Sequence, residues 1–340
     1  MATDEVATMR AGAPLVSVVT PVYNGARYLE RCIASVREQT YERWEYVILD
    51  NASTDRTGEI ARAAAEADPR IRVERNDETL PYIRNWNRAV RLISPESAYC
   101  KIVHADDWLF PACLERMVEL AERHPEAGIV GSWVRRGDEV MCRWDGAPGE
   151  VIPGRDLARL ALMNEIPYLF GSPSTLLLRS GLVREREALY EDVGHPLVDQ
   201  HLCHDLLRRT DFGYVREVLS FTRLHEGSIT AAQEETNEWF AGKLALLDRF
   251  GPEFLSPDER ARAVGHYLGR YRRFLATQVG RRRGREFWSH HRAALAAHDF
   301  PLRPGMLALQ AARLRLGSVR ARLAGRPGSP TSSETHADAN

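Results

Sequence analysis

The sequence predicts an α/β protein: a mostly parallel sheet flanked by helices, followed by a helical C-terminal region. Three observations carry that expectation. Apolar, strand-like runs alternate with helix-length amphipathic segments as far as Val134, the rhythm of βαβ units. Three of those runs end in polar residues, which brings polar side chains to one sheet edge, where open α/β sheets bind nucleotides. Beyond Glu235 the pattern is helical almost throughout, with breaks at Gly251-Pro252, Gly280 and Pro301 to Pro304.

Val16 to Thr20 reads as a buried strand, and Ala26 to Glu38 as a helix with Leu29, Ile33 and Val36 on one stripe. Trp44 to Asp50 is the second strand. Asp55 is a good N-cap for a helix running to Ala67, closed by Asp68-Pro69. Ile71 to Arg75 is a third, short strand and Tyr82 to Leu92 another helix. Tyr99 to Val103 is a fourth strand. Pro111 then opens a helix with Leu114, Met117, Val118 and Ala121 inward. Ala127 to Val134 is a fifth strand. Past it the regularity weakens: Arg155 to Met163 and Asp199 to Arg209 read as helices. Ser174 to Leu178, Phe212 to Arg216 and Leu219 to Leu224 read as short strands.

The 340 residues can bury a full core. No apolar run approaches the roughly 18 to 20 residues that span a bilayer. Met1 to Ala13 lacks the basic and apolar regions of a secretory signal. Five cysteines, Cys32, Cys100, Cys113, Cys142 and Cys203, are odd in number and widely spaced, without C-x-x-C. They fit a reduced cytoplasmic compartment and neither a zinc site nor a disulfide framework. A net charge of −1 gives no electrostatic case for nucleic acid. Charge is uneven, however: Asp258 to Arg326 holds sixteen arginines and four acids. That region suits a bundle with solvated basic faces. Alternatively, the run Pro304 to Arg322 makes peripheral contact with anionic lipid.

The strongest local signal is Asp106-Asp107, directly after the strand-like Tyr99-Cys100-Lys101-Ile102-Val103. Two carboxylates at a buried strand end repel each other and cost desolvation unless a cation joins them. A hard divalent ion carrying a diphosphate is the natural partner. The first strand leaves through Thr20-Pro21-Val22-Tyr23-Asn24-Gly25, with neither a dinucleotide glycine triplet nor a Walker loop. Pro21 stiffens this turn and Tyr23 offers a flat face on which a base can stack. Asp50 ends the second strand, where a carboxylate can accept from an imide N–H such as that of uracil. Ser53, Thr54 and Asp55 are ordinary capping residues. In Tyr82-Ile83-Arg84-Asn85-Trp86-Asn87, Arg84 can reach base or phosphate, while Asn85 caps locally or joins it. His201 and His204 are three apart on a helix, but without a third imidazole they are a weak metal pair.

Four motifs taken together resemble the nucleotide-binding half of family 2 glycosyltransferases with their GT-A fold. They are Ser17-Val18-Val19-Thr20-Pro21-Val22-Tyr23-Asn24, Leu49-Asp50-Asn51-Ala52-Ser53-Thr54-Asp55, Asn85-Trp86-Asn87 and His104-Ala105-Asp106-Asp107. The resemblance covers about the first 135 residues and implies a nucleotide-sugar site. Thr20, Pro21, Tyr23, Asn24, Asp50, Asn51, Arg84, Asn85, His104 and Asp106 are expected on it. Thr20 and Asp50 would contact the nucleoside, and Asp106 would face ribose or metal. Asp107 would bind the Mg²⁺ or Mn²⁺ that bridges the diphosphate. His104 stands where relatives often carry an acid, which leaves the rest of the metal shell open. The second motif reads Asp-Asn-Ala-Ser rather than the commoner Asp-Asp-Gly-Ser.

The resemblance continues more faintly. Family members place a catalytic carboxylate at the start of a late helix, and Val198-Asp199-Gln200-His201-Leu202 offers Asp199 in that register, with Asp205 and Asp192 as rivals. A base is needed there because an attacking hydroxyl must lose its proton. Arg223-Leu224-His225-Glu226-Gly227-Ser228-Ile229 resembles the Arg-x-His-x-x-Ser segment of relatives, with His225 as a metal ligand or loop-ordering group. The expected organisation is a flexible N-terminus (1–13), a GT-A domain (14–230, halves 14–135 and 136–230), a helical region (231–324) and a disordered tail (325–340). The expected reaction is inverting, metal-dependent transfer of a sugar, from a UDP-sugar by family habit. The acceptor is the hydroxyl of a glycan, a lipid-linked or a small molecule. The rival is a catalytically inactive nucleotide-sugar-binding scaffold.

Overall fold

A computed structural model of the chain describes residues 12–225, 237–281, 283–303, 305 and 307–312. The expectations for Met1 to Ala11, Glu226 to Ile229, most of Pro304 to Arg322 and the tail from Gly325 lie outside the described residues. One compact unit takes in the chain to Ala158 with Tyr168–Val193 and Val198–His225. The other takes in Arg159–Pro167, Gly194–Leu197 and the described chain from 237 onward.

The first unit is organised by a ten-stranded sheet. Its first half is βαβ: β1 (Val16–Val22), α1 (Leu29–Arg37), β2 (Trp44–Asp50), α2 (Thr57–Ala67), β3 (Ile71–Arg75), α3 (Tyr82–Arg91) and β4 (Tyr99–Ile102). The order β3-β2-β1-β4 is parallel throughout. Every residue of β1 is buried, the polar Ser17 and Thr20 included, which fits its mainly apolar sequence: helices cover both faces of a parallel sheet. Next come β5 (Trp108–Leu109), α4 (Cys113–Arg123), β6 (Ala127–Arg136), β7 (Glu139–Met141), β8 (Val151–Ile152) and α5 (Gly154–Met163). A single 3₁₀ turn (Pro173–Thr175) leads into β9 (Leu176–Arg179), α6 (Ser180–Arg184), α7 (Val198–Leu206) and β10 (Asp211–Thr222).

Beyond β4 the sheet becomes mixed. β9 runs antiparallel to both β4 and β6, whereas β10 runs parallel to β6. The core under β1, β2 and β4 is built from Leu29, Ile33 and Val36 of α1, with Leu114, Met117, Val118 and Ala121 of α4, the inward positions expected.

Two local expectations need correction. Asp55 is not the N-cap of α2, which starts at Thr57. One Asp55 oxygen accepts from Thr57 N at 3.0 Å and the other from Ala26 N at 3.1 Å, so the carboxylate ties two loops together instead. The two short strands expected at 212–216 and 219–224 are one strand, β10. Register shifts between Val215 and Ser220 break its alternation, and this makes one bulged strand look like two in sequence.

The second unit is helical as described: α8 (Trp239–Phe254), α9 (Pro257–Gln278) and α10 (Arg285–Ala297). Ser256 and Glu259 form a reciprocal capping box at the start of α9. Tyr271 stacks on Phe240 with centroids 5.3 Å apart, and its hydroxyl meets His291 Nδ1 at 2.6 Å. No described helix is long and apolar enough to cross a membrane.

Candidate active site

The carboxyl ends of β1, β2 and β4 lie side by side, and their exits are bonded to one another. Asn24 turns the chain with φ +48°, its N–H donating to Ser53 Oγ at 2.9 Å and its Oδ1 accepting from Thr54 N at 2.9 Å. Asparagine tolerates this left-handed conformation better than most residues. Gly25 N donates to Thr57 Oγ1 at 2.8 Å. Tyr23 is 52% exposed, so its ring face is available as the sequence suggested, and Arg84 is exposed on α3. Pro21 is buried within β1.

Several residues expected to meet the nucleotide are instead used inside the protein. Thr20 is fully buried, and its hydroxyl donates to Val103 O at 2.7 Å and pairs with Tyr46 Oη at 2.8 Å. It holds β1 to β2 and to the end of β4, and it presents no atom to a ligand. Asp50 is 1% exposed: Oδ1 accepts from Ser53 N at 2.9 Å and Oδ2 is ion-paired with Arg75. Asn51 and Asn85 are likewise buried, both accepting from Asn76 Nδ2, at 2.6 and 2.9 Å. Each of these residues sits where the motif places it. What their types could not reveal is that partners from β3 and from the loop after it, Arg75 and Asn76, already take up their polar atoms.

The group after β4 is different. His104, Asp106 and Asp107 bring one ligand atom each to within 4.8 Å of one another. Asp107 is 3% exposed, and burial, then the neighbouring Asp106, pushes its carboxyl up to about 8. His104 packs on Trp86 with centroids 4.6 Å apart; its Nε2 is buried with no hydrogen-bond partner among the described residues. Burial lowers the imidazole's pKa, leaving it in the neutral form that ligates metals. A carboxylate pair beside an imidazole nitrogen with no hydrogen-bond partner among the described residues is a donor set that fits a divalent cation. Asp106, expected to face ribose or metal, and His104, expected only on the nucleotide-sugar site, thus join Asp107 as candidate ligands.

The end of β10 closes this group from the other side. His225 Nε2 lies 3.0 Å from Asp106 Oδ2, and its ring packs on Tyr28 at 4.9 Å. Arg223 donates its backbone N–H to Asp107 Oδ1 at 3.1 Å and its Nε to Asp106 O at 3.2 Å. Its guanidinium lies over the rings of Tyr28 and Trp108, 4.6 and 5.1 Å from their centroids. A cation held over aromatic faces beside two carboxylates is oriented rather than free to swing. Ser174 is a site residue that the sequence does not mark: its hydroxyl accepts from His104 N at 3.0 Å. Nothing in a Ser-Pro-Ser-Thr run marks it, because the contact spans seventy residues.

Asp199 is the second residue of α7 and half-buried. Oδ1 accepts from Gln200 N at 2.8 Å, and Oδ2 from the Tyr168 hydroxyl at 3.3 Å, which also donates to Gly171 O at 2.6 Å. Gly171, with φ +60°, lets the chain turn from Tyr168 to Ser174; a Cβ there would meet Thr175 Oγ1 at 2.3 Å. The segment that touches Asp199 through Tyr168 therefore also reaches His104 through Ser174. The ring of Trp86 lies between His104 and Tyr190, and Tyr190 is fixed by paired bonds to Asn87. Of the rivals, Asp205 is ion-paired with Arg186 at 2.5 Å and with Arg208, and Asp192 is exposed.

A mixed sheet whose parallel half delivers such a carboxylate pair to its edge is the arrangement of the GT-A fold. Solved structures agree on the fold. S. aureus TarS 1–349 in complex with UDP-GlcNAc superposes with a TM-score of 0.59 over 83% of this chain and 80% of that one, at 15% identity. The mannosyltransferase PcManGT from Pyrobaculum calidifontis, in complex with GDP-Man and Mn²⁺, gives 0.57 over 92% and 81%, at 18% identity. Glycosyltransferase GlyG of Streptococcus pneumoniae is 29% identical over 222 residues, 63% of this chain and 72% of that protein. Residues 17–177, a little under half of the chain, match the family model Glycosyl transferase family 2.

Proposed function

We propose that the enzyme moves a sugar from a nucleoside diphosphate, with UDP the expected nucleotide, to an acceptor hydroxyl with inversion. The observation that carries this reading is the His104–Asp106–Asp107 group with His225 beside it. Mg²⁺ or Mn²⁺ would be held by Asp107 with Asp106, His104 or His225, and when bound supplies Lewis-acid charge for the leaving diphosphate. Arg223, oriented by Asp106 O and two rings, adds fixed positive charge next to the same position. Tyr23 and Arg84 are the exposed groups at the base end. Asp199 accepts the acceptor's proton at a carboxylate oxygen as the hydroxyl attacks the anomeric carbon. Tyr168 holds that carboxylate in place. TarS, solved with UDP-GlcNAc, supports a UDP-sugar, and PcManGT, solved with GDP-Man and Mn²⁺, supports a metal-assisted donor site.

A thermal-shift panel of UDP, GDP, dTDP and CDP, each with and without Mn²⁺, tests the donor site. A metal-dependent rise with one nucleotide is expected, UDP first. No shift with any of them would remove the reading.

The acceptor, whether glycan, lipid-linked or small molecule, is reached by a chain whose last described helical residues expose Leu309 in an arginine-rich stretch. This composition supports peripheral contact with anionic membrane. Full-length protein is then expected to pellet with anionic liposomes, and a chain ending at Pro301 to stay in the supernatant. Equal pelleting would exclude the contact.

A further inference from the structure

Lysine is nearly absent from this chain, which has only Lys101 and Lys243. Lys101 stands on β4, three residues before His104, and has no solvent exposure. Its neighbours in that layer include the apolar Tyr99, Val103, Leu114 and Met117. An ammonium in such a layer is costly unless its donors are satisfied, and leucine or methionine would fill the space without that cost. Here Nζ donates to Ser174 O at 2.7 Å and to Leu176 O at 3.1 Å, with Met117 Sδ at 3.8 Å.

Those two carbonyls flank Thr175, where the Pro173–Thr175 turn passes into β9. Lys101 therefore pins the joint that carries Ser174. The Ser174 hydroxyl in turn accepts from His104 N at 3.0 Å, and His104 O accepts from Asp107 N at 3.0 Å. Ammonium, turn, hydroxyl and the two candidate ligands form one continuous bonded path. We propose that Lys101 is a positioning residue of the donor site, fixing Ser174 so that His104 and Asp107 face the cation in a single arrangement. It acts from beneath the sheet surface and touches neither substrate nor ion. The inference rests on the donor-site reading given above. Partners behind a first ligand typically alter metal affinity about 10- to 100-fold when removed.

The experiment counts bound Mn²⁺ from the loss of its free-ion electron paramagnetic resonance signal, with UDP and with GDP present. It uses full-length wild type, Lys101→Met, Lys101→Arg, Ser174→Ala, the Lys101→Met/Ser174→Ala double variant and Asp107→Ala. Lys101→Met and Ser174→Ala are each expected to weaken Mn²⁺ about 10-fold or more, and Lys101→Arg to restore part of the loss. The double variant should bind about as weakly as either single one, because both cut the same path. A lysine that only supports the core would lower the melting temperature and leave Mn²⁺ affinity at the wild-type value; that result overturns the proposal. If Lys101→Met does not fold, Ser174→Ala decides, since it leaves both lysine bonds in place, and wild-type affinity there is equally fatal. Failure of wild type to bind Mn²⁺, or equal binding by Asp107→Ala, strikes the donor-site reading itself and this inference with it.

Discussion

Asp107→Asn is expected to lower sugar transfer by about three orders of magnitude, the several kcal/mol that a cation on a leaving diphosphate contributes. The same variant should be more stable than wild type when no metal is present. Burial, then Asp106, raises the Asp107 carboxyl in the folded state to about 8, from an ordinary value of 3.8. The folded protein therefore holds a proton that the unfolded chain has already released, and metal-free stability falls as pH rises between those values. Asparagine carries no such charge. Its melting temperature should exceed that of wild type at pH 8, and the gap should close as pH falls toward 4. Mn²⁺ should reverse the order by stabilising wild type alone. Melting curves at the two pH values, with and without Mn²⁺, check this. An equal Mn²⁺ response in both proteins would place the ion elsewhere.

Asp199→Asn is expected to reduce kcat by about 10²- to 10⁴-fold, the range for a positioned general base. The metal-dependent thermal shift with nucleotide should stay at the wild-type value, because Asp199 bonds to Gln200 N and Tyr168 and not to the carboxylate pair. Steady-state kinetics beside nucleotide binding separate the two effects. Tyr168→Phe should cost less, since it frees the carboxylate without removing it. Asp205→Asn should chiefly affect stability: its carboxylate already serves Arg186 and Arg208. Full activity in Asp199→Asn, with loss in Asp192→Asn, would move the base.

Candidate positions are legible where chemistry and chain direction coincide. Asp106-Asp107 after an apolar strand, and Asp199 at a helix start, can be read because a strand end or a helix N-terminus tells where a side chain emerges. For Thr20, Asp50, Asn51 and Asn85 the place along the chain is legible, but the burial of their polar atoms is not. Whether a polar atom faces ligand or core depends on a partner, and Tyr46, Arg75 and Asn76 lie about 10 to 30 residues away. The parallel half of the sheet followed from its rhythm. The mixed half did not: Ser174 to Leu178 reads as a strand, but three leucines and an arginine say nothing of which strands β9 pairs with. Its antiparallel insertion between β4 and β6 is set by pairing, not by local pattern.

The buried ammonium of Lys101 also serves as a built-in clock. Acylating reagents that attack neutral amines reach it only when α4 and the Ser174 turn part from β4, so its rate of modification reports how often that layer opens. Few enzymes offer so quiet a background, because Lys243, the one other lysine, is itself 9% exposed. Mass-resolved labelling at this single nitrogen would follow breathing of the layer beneath the carboxylate pair, without an added probe, as cations and nucleotides are supplied.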